Sequence, residues 1–320
     1  MNEPLLLVGA GPMAIEYTKV LLRKGVQFDT VCRREETATK YKNLTGISAR
    51  TGGIEKWLDS RISKPSHAIV AVDERELGDV TLSLLRRDVK TILVEKPGGF
   101  DFNNIVAVDE ASTAHQANVL VGYNRRFYTS VLRGLEIINE DGGVKSFHFE
   151  FTEWSHVIAT LEKAEGVKAE WFLHNSTHVI DLAFFIGGRP EQLSCYVGGE
   201  LQWHPCGSIF AGAGKSEQGV LFSYQANWAA PGRWGIEILT RKHRLIFRPL
   251  ERLQIQNVGS LTSDFVELDD KLDRDFKPGL WRQVTAFLEG NYHSFVSISD
   301  QRKMLKFYAM MLGNPQWQYQ

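Results

Sequence analysis

The residues that most constrain this chain are Gly9-Ala10-Gly11-Pro12-Met13-Ala14, which follow the apolar run 5–8 directly. A short apolar run that ends in a glycine turn and opens into a helix brings bare backbone N–H groups to a helix N-terminus, where a pyrophosphate can approach them. Gly9 permits the tight turn, Gly11 admits close approach, and Ala14 keeps the helix near the strand, with Pro12 and Met13 between them. A lone match of this kind can be a plain turn, so the residues beyond it decide. Residues 14–24 read as a helix, with Ile15, Thr18, Val20, Leu21 and Leu22 on its apolar side and Gly25 as its stop. Strands are predicted over 28–32, 67–72, 91–94 and 118–121, and helices over 54–58, 77–87 and 103–115. Nearly uninterrupted apolar strands between amphipathic helices predict an α/β unit, a parallel doubly wound sheet covered on both faces.

The pattern changes after Gly122. Residues 144–154 look like one long strand, 177–186 like a helix closed by Gly187-Gly188, and 192–197, 219–227, 234–240 and 244–247 like strands. Val220, Phe222 and Tyr224 alternate with Leu221, Ser223 and Gln225, as expected of an antiparallel sheet with two unlike faces. Helices over 280–288 and 301–312 close the chain. The expected division is therefore a dinucleotide-binding domain over 1–122 and an α+β domain over 123–320. The second would carry a large, mostly antiparallel open sheet, with a C-terminal helix able to pack back on the first domain. A length of 320 residues suits about two domains.

Charge narrows the partners. A net charge of −1 gives no support for a nucleic-acid partner or an anionic membrane surface, and no apolar run approaches the length of a span. Cys32, Cys195 and Cys206 are too scattered for a disulfide framework or a zinc site. Reduced thiols and a glycine loop within ten residues of the N-terminus point to a cytoplasmic protein without a signal peptide.

Four further groups of residues carry chemistry. After the second strand, where an acid normally binds the ribose of NAD, stand Cys32-Arg33-Arg34-Glu35. Two guanidinium groups suit a 2′-phosphate, which favours NADP over NAD; the alternative is that the arginines are solvated and Glu35 serves the ribose. Glu95-Lys96-Pro97 ends the strand 91–94, on the edge where ligands bind in such sheets. Proline after Lys96 holds the lysine backbone extended. His174 and His178 are four residues apart and would share a helix face if the helix begins near Phe172. Without the glutamate of an HExxH motif or a third ligand, no metal site is expected. Trp154 and Trp171 flank a polar segment and are candidates for stacking on a sugar face, although most tryptophans here are expected in the core.

These motifs together resemble the Gfo/Idh/MocA oxidoreductases, the group that includes glucose–fructose oxidoreductase and inositol dehydrogenase. The carriers are Gly9 to Ala14, Val94-Glu95-Lys96-Pro97, Gly122-Tyr123-Asn124-Arg125-Arg126-Phe127, and Thr177-His178-Val179-Ile180-Asp181-Leu182 with Gly188-Arg189-Pro190 behind it. They stand in the family's order, and Lys277-Pro278-Gly279-Leu280 also looks like sugar-processing members. The resemblance implies a Rossmann domain, a nicotinamide cofactor, and catalysis in a cleft on a sugar, sugar-nucleotide or cyclitol. It implies Lys96 as catalytic lysine and His178 as acid/base. Ala71, Val72, Asp73, Glu95 and Lys96 would join the glycine loop around the cofactor. Tyr123, Asn124, Asn175, Asp181 and His174 would join the tryptophans around the substrate. The family often has an aspartate four residues before its histidine; here that position is His174, which is expected to serve substrate recognition. Members commonly pair through the large sheet, so a homodimer or homotetramer is expected. Two alternatives remain open at this point: a glycosidase that retains its NAD, and a nonenzymatic cofactor-binding sensor.

Overall fold

The computed structural model describes residues 5–60, 64–314 and 316. The chain packs as two compact units. One gathers the residues up to Asn124 together with Leu272–Lys303; the other gathers Arg125–Lys271 and the residues from Met304 onward. The sequence shows one change of pattern near Gly122, and nothing in its periodicity marks the return of Leu272–Lys303 to the first unit.

In the first unit, β1 (Leu5–Val8), α1 (Pro12–Arg23), β2 (Phe28–Val31), α2 (Glu35–Thr45), α3 (Gly53–Asp59), β3 (His67–Val70), α4 (Leu77–Arg86), β4 (Thr91–Glu95), α5 (Phe102–Ala114) and β5 (Asn118–Gly122) alternate. The strands lie in the order β5-β4-β3-β1-β2, all parallel, and the short strand Val296–Ser297 adds antiparallel to β5. Beyond β2 a single parallel bridge joins Val31 to Arg50. It is held by Arg50 N–H to the Thr30 carbonyl at 2.8 Å and Cys32 N–H to the Arg50 carbonyl at 2.9 Å. Counting that bridge as a vestigial third strand gives the order 3-2-1-4-5-6 of dinucleotide-binding sheets. The chain reverses direction across the sheet between β1 and β3, and this opens a crevice at their carboxyl ends.

The four residues of β1 are all buried, as an inner parallel strand requires. Helix α1 buries Ala14, Tyr17, Thr18, Val20 and Leu21, whereas Leu22 is turned outward. Helix α2 carries almost no periodic signal in the sequence, because Ala38 and Tyr41 are its only buried residues. Its ends are well formed: Glu35 and Glu36 sit in the first turn, and Gly46 closes it in the left-handed region at φ +76°.

The second unit is built on an eight-stranded sheet. Helix α6 (Thr129–Glu140) leads into β6 (Ser146–Glu150), followed by α7 (Ser155–Ile158), a π turn (Phe172–Ser176) and α8 (Thr177–Gly187). Then come β7 (Pro190–Gly198), β8 (Ile209–Ser216), β9 (Leu221–Asn227), β10 (Gly235–Leu239), β11 (His243–Phe247), β12 (Gln254–Asn257) and β13 (Asp264–Phe265). The order is β13-β12-β11-β10-β6-β9-β8-β7. Every neighbouring pair is antiparallel except β6 with β9, which is parallel. The strand expected over 144–154 is therefore shorter than its pattern suggested.

Strand β8 escapes sequence reading because Gly212 and Gly214 lower its β-propensity. Both are needed: a Cβ on Gly212 would fall 2.4 Å from the Tyr224 ring, and one on Gly214 would fall 2.7 Å from Phe222. The aromatics of β9 occupy the space the glycines leave. The core behind the sheet is aromatic. Phe184 of α8 meets Phe147, Phe149 and Phe222 edge-on at 6.1, 5.4 and 5.1 Å.

Candidate active site

The nucleotide-facing edge of the first unit is built from backbone. Gly9 sits at φ +124° and donates its N–H to the Val31 carbonyl at 2.8 Å. A Cβ there would fall 2.1 Å from the Ala71 carbonyl oxygen, so glycine is required where the ends of β1, β2 and β3 converge. Gly11 caps α1 in extended backbone with Pro12 as first helical residue, and a Cβ on Gly11 would meet nothing within 4 Å. The helix start thus keeps open space beside it, above the fully buried Ala14, with Met13 half-buried.

Ala71 is buried, Val72 half-buried and Asp73 exposed. Asp73 caps the short 3-10 turn Glu74–Glu76 by accepting from the Arg75 N–H at 3.2 Å. The arginine pair divides. Arg33 is ion-paired with Glu76, whereas the exposed Arg34 has no ion-pair partner among the described residues. Glu35 accepts the hydroxyl of Thr51.

At the end of β4, Glu95 is buried, and its carboxylate accepts the Tyr17 hydroxyl of α1 at 2.7 Å. Burial raises the Glu95 carboxyl, opposed by the Tyr17 bond and by the charges of Lys96 and Lys277. The same desolvation, with the Glu95 charge, holds the Tyr17 phenol well above its usual range. Glu95, expected beside the cofactor, turns its carboxylate inward onto α1. Lys96 follows it half-buried, with a cis peptide to Pro97.

Tyr123 and Asn124, expected around the substrate, both bond within the first unit. Tyr123 is 1% exposed and its hydroxyl accepts from Gln301 Nε2 at 3.0 Å, which places it in the core. Asn124 Nδ2 donates to the Pro278 carbonyl at 2.9 Å. That bond, with Asp273 accepting from Gly279 N–H and Arg282 at 2.9 Å each, fixes the segment that carries Lys277. Lys277 is a cation beside Glu95 that the chain order alone did not connect with Lys96.

In the second unit, His174 lies in the π turn and His178 in the first turn of α8; both are buried. A π turn holds more residues than an α turn, so the two imidazoles do not have the offset of a regular helix. Asp181, expected near substrate, is closed by Arg126, which donates to its two oxygens at 2.8 and 2.6 Å. The residue that organises the region is Glu153, which sequence reading missed. Its carboxylate is buried and accepts from Asn175 Nδ2 at 3.0 Å on both oxygens and from Ser176 Oγ at 2.8 Å. Arg233 stands 3.5 Å away. Burial pushes the Glu153 carboxyl up to about 7; the Ser176 and Asn175 bonds, the Trp171 indole and the Arg233 charge oppose that rise without overcoming it.

Arg233 lies over two rings, 4.8 Å from the Trp154 centroid and 4.5 Å from that of Trp234. Trp154 remains 48% exposed, with its Nε1 donating to the Gly232 carbonyl at 2.9 Å, so it still presents a stacking face. Trp171 is buried edge-on against Trp203 at 6.2 Å, in the core and off the surface. The Trp234 ring lies 6.0 Å from His178. Among the described residues no group of three or more His, Cys, Asp or Glu side chains is placed to hold a metal ion. No signal in the sequence separated Glu153 from a solvated acid, because its partners are 18 to 80 positions away.

No protein-family model and no curated protein matches the chain. Solved structures do match its fold along nearly its whole length. A candidate NADPH-dependent oxidoreductase from Desulfitobacterium hafniense superposes with a TM-score of 0.79 at 17% identity, covering 99% of this chain and 96% of that one. Levoglucosan dehydrogenase in complex with NADH and L-sorbose gives 0.77 at 14% identity, with 99% and 97% covered. A UDP-N-acetylglucosamine 3-dehydrogenase from Acidithiobacillus ferrooxidans gives 0.72 at 12%, with 99% and 100% covered. The chain therefore has the fold of two-domain oxidoreductases, a Rossmann-like parallel sheet followed by a mostly antiparallel one.

Proposed function

We propose that this protein is an NAD(P)-dependent oxidoreductase acting on a secondary alcohol or ketone of a sugar-like molecule. The observation that carries the reading is Gly9 pressed on the Ala71 carbonyl with open space at Gly11, at the carboxyl end of β1 beside the crevice toward β3. That arrangement fits a dinucleotide pyrophosphate at the start of α1. Gly9, Gly11, Pro12, Met13 and Ala14 would hold it, with Ala71, Val72 and Asp73 along the ribose and nicotinamide. A bound nicotinamide supplies the hydride acceptor or donor.

Lys96 donates a hydrogen bond to the reacting oxygen and stabilises the negative charge that develops there. Glu95 and Tyr17 hold the end of β4 from beneath it. His178 passes the proton, since an imidazole ring can both accept and donate one. Trp154 offers a face to the sugar. The open Arg34 favours NADP, with Arg33 already bridged to Glu76. The exposed Tyr196, Leu221 and Ile209 on β7, β9 and β8 suit a homodimer or homotetramer formed through the large sheet.

The names of similar folds support sugar-like substrates without choosing among them. The experiment is titration with NADPH and NADH, followed by a panel of sugars, cyclitols and sugar nucleotides read at the nicotinamide absorbance. Gly11→Asp places a carboxylate in the open space and should abolish cofactor binding while leaving the thermal melt in place. Wild-type protein that binds neither dinucleotide would refute the reading.

A further inference from the structure

Two guanidinium groups lie over Trp234. Arg125 lies 4.8 Å from the Trp234 ring centroid and Arg233 lies 4.5 Å from it, so one indole is shared by two cations. Like charges held this close repel unless countered. Asp181 is taken by Arg126 in a two-pronged ion pair. Glu153 faces Arg233, and its burial makes it only a partial counter-charge near neutral pH. Arg125 is left over. It is half-buried, its Nε is buried without a hydrogen-bond partner, and no acid pairs with it among the described residues. Leaving a desolvated guanidinium unpaired is costly, and a planar fork aimed beside an aromatic ring suits an oxyanion. The same indole lies 6.0 Å from His178.

We propose that Arg125, assisted by Arg233, binds a negatively charged group of the substrate, a carboxylate or a phosphate, against Trp234. The substrate is then an acidic sugar or a phosphorylated one. This rests on the oxidoreductase reading above and deepens it.

The test uses the full chain and four probes: glucose, glucuronate, glucose 6-phosphate and inorganic phosphate. Binding is followed by tryptophan fluorescence and calorimetry, at two salt concentrations. At least one charged probe should bind tenfold or more tighter than glucose, and high salt should shrink that gap. Glucuronate responding alone identifies a carboxylate; glucose 6-phosphate or phosphate responding identifies a phosphate. Arg125→Ala should collapse the charged-to-neutral ratio to within about twofold, and Arg125→Lys should restore part of it, because lysine keeps the charge without the fork. Thermal melts report whether each variant folds. Should Arg125→Ala unfold, Arg233→Ala must lower the ratio instead. Equal binding of charged and neutral probes, no response to any anion, or a ratio untouched by the arginine variants overturns the proposal. NADPH binding is measured in parallel, so failure of the cofactor reading is seen separately from failure of the anion site.

Discussion

Two buried glutamates anchor the two regions assigned to chemistry, and they do so differently. Glu95 belongs to a contiguous motif, stands at a strand end, and accepts one phenol at 2.7 Å, with the charges of Lys96 and Lys277 acting on it. Glu153 belongs to no motif, takes three hydrogen bonds from two neighbours on the π turn, and has a single guanidinium 3.5 Å away. Burial raises both carboxyls. The first region is shaped by backbone, and a buried side chain props the strand end that carries Lys96, the proposed catalytic residue. The second is set by side chains, so its protonation state becomes part of its architecture.

The largest expected effects fall on the proposed catalytic groups and test whether each region does the work assigned to it. Lys96→Ala should lower kcat by about 10²–10³, as expected for loss of a donor to a developing oxyanion, with little change in NADPH affinity. His178→Ala should cost about 10²–10⁴ in kcat. His174→Ala should instead raise KM with a smaller loss of kcat, since an imidazole cannot supply the negative charge of an aspartate. Steady-state kinetics of the three variants check this, and matching profiles for the two histidine variants would erase the distinction between them.

Next comes the pH response of Glu153. Its carboxyl titrates near 4.5 in the unfolded chain and about 7 when folded. Below 4.5 both states are protonated. Between 4.5 and 7 the unfolded chain ionises first, so stability falls as pH rises, by about 1.4 kcal/mol per pH unit and about 3 kcal/mol in total. Glu153→Gln lacks this term. The stability of the variant relative to wild type should therefore rise by about 3 kcal/mol from pH 4.5 to 7.5, measured by urea unfolding. A flat difference would show that Glu153 is not held in its protonated form.

The same comparison is sharpened by Tyr17→Phe, which removes the phenol hydrogen bond that Glu95 accepts. A loss of about 2 kcal/mol is expected, the scale of a bond to a charged group, and unfolding at pH 8 measures it. The smallest effect concerns Arg34→Ala. An exposed guanidinium contributes about 0.2–1 kcal/mol, so the NADPH-to-NADH affinity ratio should fall by no more than about fivefold. An unchanged ratio would leave the choice of dinucleotide to other residues.

Short-range patterning encodes the first part of this architecture. The run 5–8, the glycines at 9 and 11 and the strand–helix alternation specify the parallel sheet, because each feature acts within a few residues of itself. Lys96 at a strand end and His178 near a helix start were legible for the same reason. Tertiary structure decided the rest. It turned Glu95 inward onto Tyr17, buried Tyr123 against Gln301, closed Asp181 with Arg126, and brought Lys277 beside Glu95. It also assembled Glu153, Asn175 and Arg233 across 80 positions of chain. An acid followed by a tryptophan reads the same whether solvated or buried. Desolvation, which raises Glu153 to about 7, exists only once distant strands and a π turn have closed around it.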